Sequence, residues 1–121
     1  VPDLPIEAVK KIKEIFVQSG ATAKISSIHV NAWFGDYNKL EMTRIFTKEI
    51  FDLDLDRRKD DFVFCGDSPN DEPLFEYFPN SCGVANVKDF HSEMTCMPTY
   101  VSRSKGGKGF IEICNKFLGS D

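Results

Sequence analysis

The stretch that most constrains this chain is Phe62-Val63-Phe64-Cys65-Gly66-Asp67-Ser68-Pro69-Asn70-Asp71. Four consecutive apolar residues suit a strand buried on both faces, as strands of a parallel sheet are. Gly66 ends the run, and a polar loop follows at once. Helical periodicity precedes it over Lys39–Phe51, with Leu40, Ile45, Phe46 and Ile50 on one face. The loop leads into a short helix, Glu72–Phe78, with Pro73 in its first turn, where a missing N–H costs little. Ser81–Ala85 and Pro98–Ser102 read as further strands. Gly106-Gly107-Lys108-Gly109 reads as a turn before a last helix, Phe110–Leu118. Its spacing lacks the GxxxxGK[ST] pattern of a P-loop. Strands alternating with helices predict an α/β unit with a mostly parallel sheet, covered on both faces.

Residues 1–35 read differently. Pro5-Ile6-Glu7 opens a helix that Ser19-Gly20 stops. A strand, Ala23–Val30, and an extended piece, Ala32–Phe34, come next, before the turn Gly35–Asn38. This looks like the edge of a second, smaller α+β unit. The boundary predicted on these grounds places 1–35 in one unit and 36–121 in the other.

Charge excludes some partners. Fifteen Lys and Arg against nineteen Asp and Glu leave a net charge of -4, which disfavours nucleic acid. No apolar run approaches the roughly 20 residues that span a bilayer, so no membrane association is expected. Cys65, Cys82, Cys96 and Cys114 show no CxxC spacing, which argues against a zinc site. They read as free thiols in a cytoplasmic protein. The first residue is Val1, and the chain is expected to be part of a longer protein.

In an open α/β sheet, ligands bind beyond the carboxyl ends of the strands. Asp67 stands at such an end, and Asp71 at the start of the next helix. Two carboxylates four residues apart around a tight turn can converge on one hard cation. Magnesium takes oxygen ligands and keeps several waters, so one or two protein carboxylates suffice. The competing reading makes Asn70 or Asp71 a simple helix N-cap.

Gly66-Asp67-Ser68-Pro69-Asn70-Asp71 resembles the fourth motif of the haloacid-dehalogenase superfamily, written GDxxND in its sugar-phosphatase-like branch with a C2-type cap. Pro73-Leu74-Phe75 and Gly83-Val84-Ala85-Asn86 also fit. The resemblance covers essentially the whole chain. It implies a partial Rossmann-like three-layer core, with the tail end of an α+β cap in residues 1–35 and the C-terminal half of the core in 36–121. It implies that Asp67 and Asp71 hold Mg2+ and that Asn70 orients the phosphate side. It also implies a third-motif lysine at the start of the helix before the fourth-motif strand, where Lys39 stands. A cation is needed there because phosphoryl group and carboxylate nucleophile repel. One charge pair at about 4 Å and an effective dielectric near 20 is worth roughly 4 kcal/mol. The bland alternative for Lys39 is a solvated helix residue.

The family's first motif, DxDxT or DxDxV after a strand, has one decoy here, Asp52-Leu53-Asp54-Leu55-Asp56. It follows a helix and lies after the lysine, so it reads as a solvated link. The nucleophile and the general acid/base are therefore expected outside this chain, and the isolated chain is expected to be inactive. His29, Asn31 and Trp33 alternate along an extended segment of the cap piece and are candidates for reading the leaving group, against packed or surface strand residues. The function expected is part of a phosphohydrolase acting on a small phosphorylated metabolite such as a sugar phosphate. Its partners would be the remainder of the same protein, or a second copy joined through an open sheet edge. The alternative is a non-catalytic metal-binding or scaffolding module.

Overall fold

The structure is a computed structural model and describes residues 4–26 and 28–119. The chain divides into two compact units, Val1–Tyr37 and Asn38–Asp121.

In the first unit, α1 (Ile6–Gln18) packs on a hairpin of β1 (Thr22–Ile25) and β2 (Val30–Trp33). The strands are antiparallel, with Thr22 opposite Trp33 and Ile25 opposite Val30. The single strand expected over Ala23–Val30 is thus broken. Ser26 turns the chain, its backbone N–H and hydroxyl both donating to the His29 carbonyl. Ser27 lies outside the described residues. Val30 opens β2, two residues before the extended piece expected at Ala32. Ala21 and Ala23 are buried, but no residue of α1 is. Small side chains let helix and hairpin approach closely without giving this unit a large core.

In the second unit, α2 (Lys39–Phe51) begins at the expected residue. Asn38 caps it, its side chain accepting from the Glu41 N–H at 3.0 Å. It ends at Asp52 in the left-handed conformation (φ 52°). The expected core face is not what is buried. Ile45, Phe46 and Ile50 are exposed, Leu40 is half-buried, and Thr47 is the buried residue. The Thr47 hydroxyl satisfies itself on the Thr43 carbonyl at 2.7 Å.

The Asp52–Asp56 stretch is more than a solvated link. Leu55 is buried within a helical turn, α3 (Leu55–Arg58). Asp52 pairs with Lys48, Asp54 caps α3, and Asp56 holds Arg44. All three carboxylates have structural partners.

Three parallel strands, β3 (Phe64–Gly66), β4 (Ser81–Gly83) and β5 (Tyr100–Val101), form the sheet in the order β3-β4-β5. Cys65 pairs with Cys82 and Cys82 with Tyr100. On one face, Phe64 packs against Phe75, Phe78 and Leu74 of and around α4 (Glu72–Tyr77). On the other, Cys65, Cys82 and Tyr100 pack against Ile113 of α5 (Gly106–Leu118). The side-chain alternation of an extended strand thus sends neighbouring residues 64 and 65 into different layers. This is the expected mostly parallel α/β architecture.

The strands are shorter than expected. Phe62 and Val63 precede β3, and Lys59–Asp61 form a 3-10 turn. The glycine-rich segment is not a turn before α5 but its first turn. Gly109 is required there, because a Cβ would stand 2.2 Å from the Ser104 carbonyl and 2.5 Å from Ser102 Oγ.

Candidate functional site

β3 delivers Gly66 to the carboxyl edge of the sheet, and Asp67 follows directly. The chain then makes a 3-10 turn, Pro69–Asp71, closed by the Asp71 N–H donating to the Ser68 carbonyl at 3.0 Å. That turn swings the Asp71 side chain back towards the start of the loop. Its Oδ2 accepts from the Asp67 N–H at 2.9 Å. Gly66 makes room for it, since a Cβ at Gly66 would lie 2.6 Å from Asp71 Oδ2. The glycine that ends the apolar run is therefore a seat for a carboxylate.

Asp71 Oδ1 meets Lys39 Nζ at 2.5 Å. Lys39 is the first residue of α2, and the Asn38 cap sets where that helix starts. The Asp71 side chain is only 7% exposed, whereas that of Lys39 is 52% exposed. A buried carboxylate is costly unless it is hydrogen-bonded and paired. Both oxygens of Asp71 meet that requirement, one through a backbone N–H and one through a cation. The N-cap reading of Asp71 does not hold, because α4 begins without a side-chain cap hydrogen bond.

Ser68, 1% exposed, completes the loop. Its Oγ lies 2.9 Å from Asp67 Oδ1 and 2.8 Å from Asn70 Oδ1. Nothing in the sequence pattern singles Ser68 out except its place between the acidic residues. Glu72 next along clamps a distant segment, its Oε1 accepting from the Thr95 and Cys96 N–H groups at 2.7 and 2.8 Å. Asn86 Oδ1, after β4, accepts from the Gly106 N–H at 2.8 Å.

Lys39, Asp67, Asn70 and Asp71 are therefore brought together within the second unit. His29, Asn31 and Trp33 belong to the first. Asn31 and Trp33 alternate on β2, and His29 stands one residue before it at the same spacing, its carbonyl accepting from the Ser26 N–H. Asn31 and His29 are exposed. The Trp33 indole N–H donates to the Tyr37 carbonyl at 2.7 Å, and the two rings stack at 6.4 Å.

The oxygen-only donor set of the loop suits a hard cation such as magnesium. Carboxylate oxygens carry two lone pairs each, so one hydrogen bond per oxygen on Asp71 does not exhaust them. Among the described residues no group of three or more His, Cys, Asp or Glu side chains forms a metal cage. Two carboxylates with water and phosphate would have to serve. Cys65, Cys82 and Cys96 are not activated as nucleophiles. Burial pushes Cys65 and Cys96 up and Cys82 up to about 11, so they stay protonated near neutral pH. Among the described residues no helix is long and apolar enough to cross a membrane.

No family model matches the chain, and no curated protein does. Among solved structures it is similar to yhjK, a haloacid dehalogenase-like hydrolase protein from Bacillus subtilis. The identity is 21% and the TM-score 0.52, over 98% of this chain and 43% of that one. At that identity the likeness shows the fold: the chain has a haloacid-dehalogenase-like α/β architecture and spans less than half the length of that structure.

Proposed function

We propose that the chain is the C-terminal portion of a magnesium-dependent phosphohydrolase, of the sugar-phosphatase-like branch with a C2-type cap. Its substrate class is a small phosphate monoester such as a sugar phosphate, cleaved through an aspartyl-phosphate. The observation that carries this reading is the pairing of Lys39 with Asp71 across 32 residues, beside the acidic loop at the carboxyl end of β3. The fold likeness to a haloacid dehalogenase-like hydrolase supports it.

In this reading Asp67 and Asp71 hold the magnesium ion. When bound, the ion supplies charge neutralisation and polarisation of the phosphate. The Lys39 ammonium has three protons, of which Asp71 takes one, so donors remain for phosphate and nucleophile. Asp71 thereby fixes the lysine beside the loop. Asn70 orients the phosphate side. The attacking Asp and the general acid/base come from a segment outside this chain, since Asp52, Asp54 and Asp56 are committed to caps and ion pairs. Residues 1–35 are the end of the cap. The exposed Ile45, Phe46 and Ile50, and the edge of β3 that is unpaired among the described residues, suit the remainder of the protein or a second copy. The free thiols suit the cytoplasm.

The isolated chain should not hydrolyse p-nitrophenyl phosphate with magnesium present. In the full-length open reading frame, kinetics against a magnesium series should separate two variants. Asp67→Asn should raise the magnesium requirement and be partly rescued by excess metal. Lys39→Ala should lower kcat/KM on the order of a hundredfold at saturating magnesium, with no rescue. Near-normal efficiency in Lys39→Ala would return the lysine to a solvated helix residue and overturn the assignment.

A further inference from the structure

Ser68 has one hydroxyl proton and two oxygen neighbours, Asp67 Oδ1 at 2.9 Å and Asn70 Oδ1 at 2.8 Å. The group is 1% exposed, so water does not share the task. If both neighbours stay acceptors, one of these contacts sets lone pair against lone pair. The carboxylate cannot cure this, because an ionised Asp is acceptor-only. The amide can, by turning end over end, which exchanges its oxygen and nitrogen positions with little change of shape.

We infer that Ser68 is a positioning residue: its hydroxyl donates to Asp67 Oδ1 and accepts from the Asn70 side-chain N–H, which turns the Asn70 carbonyl oxygen away from Ser68. The order Asn70 N–H to Ser68 O–H to Asp67 carboxylate gives both contacts of the Ser68 hydroxyl a donor and an acceptor. It leaves Asp67 Oδ2 and the Asn70 carbonyl as oxygen donors, and the second Asn70 N–H as a donor. A cation and a phosphate oxygen are matched by that set. The serine also pins the loop through its own carbonyl, which accepts the Asp71 N–H. The part played by the released oxygens rests on the magnesium reading; the order of the hydrogen bonds does not.

Two measurements on the whole chain test this. The first needs no metal: side-chain amide hydrogen exchange at Asn70, against the exposed Asn115. Asn70 should exchange more slowly by on the order of tenfold, as one net hydrogen bond allows, and Ser68→Ala should erase the difference. Equal rates at Asn70 and Asn115 in the wild-type chain would overturn the proposal, whether or not the variant folds. The second is Mn2+ affinity by electron paramagnetic resonance. Ser68→Ala, measured at a temperature where circular dichroism shows it folded, should raise the dissociation constant on the order of tenfold, and Ser68→Thr, which keeps the hydroxyl, should stay near wild type. Unchanged Mn2+ affinity in Ser68→Ala would refute the positioning role. A wild-type chain that binds no Mn2+ would sink the magnesium reading instead, while the exchange rates still decide the hydrogen-bond order.

Discussion

Replacing Gly66 by alanine sets a methyl group against the Asp71 carboxylate. The new Cβ would stand 2.6 Å from Oδ2, 2.7 Å from Cγ and 2.8 Å from Cβ of Asp71. These distances fall well short of the roughly 3.5 Å at which such atoms meet comfortably. The obstacle is a side chain 7% exposed and held at both oxygens, so it cannot swing into solvent. Either Asp71 leaves the Asp67 N–H, or β3 shifts against β4 at the Gly66–Gly83 pair. Overpacking of this kind costs about 1–3 kcal/mol. Losing a hydrogen bond to a buried charged group costs about 1.5–3 kcal/mol. The Lys39 contact, half in solvent, adds at most about 1 kcal/mol. One displacement causes all three, so the costs overlap and the expected total is about 2–4 kcal/mol. Urea unfolding followed by far-ultraviolet circular dichroism measures it. Trp33 fluorescence is the wrong reporter, since the one tryptophan lies in the unit Val1–Tyr37. With a urea slope of about 2 kcal/mol per molar, the midpoint should fall by about 1–2 M. In an Asp71→Gly background all three clashing atoms are gone, and the same substitution should cost at least about 1 kcal/mol less. A cost below about 0.5 kcal/mol, or an equal cost in both backgrounds, would show that Gly66 is not the seat of Asp71.

Burial first, and then the hydrogen bond to Asp56, pushes the Tyr77 phenol up to about 12. In the unfolded chain it titrates near 10, so the folded state holds the proton more tightly. That contribution is complete below pH 10 and is lost as pH rises from about 10 to 12. An ultraviolet absorbance titration should show a late tyrosinate step that is missing in Tyr77→Phe, and persistence of the step in that variant would refute the assignment. Among the described residues β3 has an unpaired edge, with Val63 exposed beside it. Such an edge is a template for association. Sedimentation should therefore show self-association that Val63→Lys reduces, and a stable monomer would contradict this.

The sequence by itself determined the local elements whose signals are local. The Asn38 cap starts α2 at Lys39, and Ser19-Gly20 stops α1, because capping and left-handed glycine act within one turn of chain. The four-residue apolar run and the glycine after it predict a parallel strand followed by a polar loop, and the structure puts Asp67, Asn70 and Asp71 in that loop with Lys39 reaching Asp71 from the start of α2. Tertiary structure decided what periodicity cannot express. Ile45, Phe46 and Ile50 carry a helical apolar stripe, yet the face that packs within this unit holds Leu40 and Thr47. A stripe says that a helix can bury a face, not that the partner lies in the same unit. The glycines at the start of α5 looked like a turn because glycine is a poor helix former. Only the approach of Ser102 and Ser104 to Gly109 shows why one of them must be glycine. Asp71 is the sharpest case. In sequence it could be a cap or a ligand, since both need a carboxylate at a helix start. The fold gives it Lys39 and the Asp67 N–H as partners, because contacts made across 32 residues, and across a turn seated on Gly66, exist only once the fold has brought the loop after β3 to the start of α2.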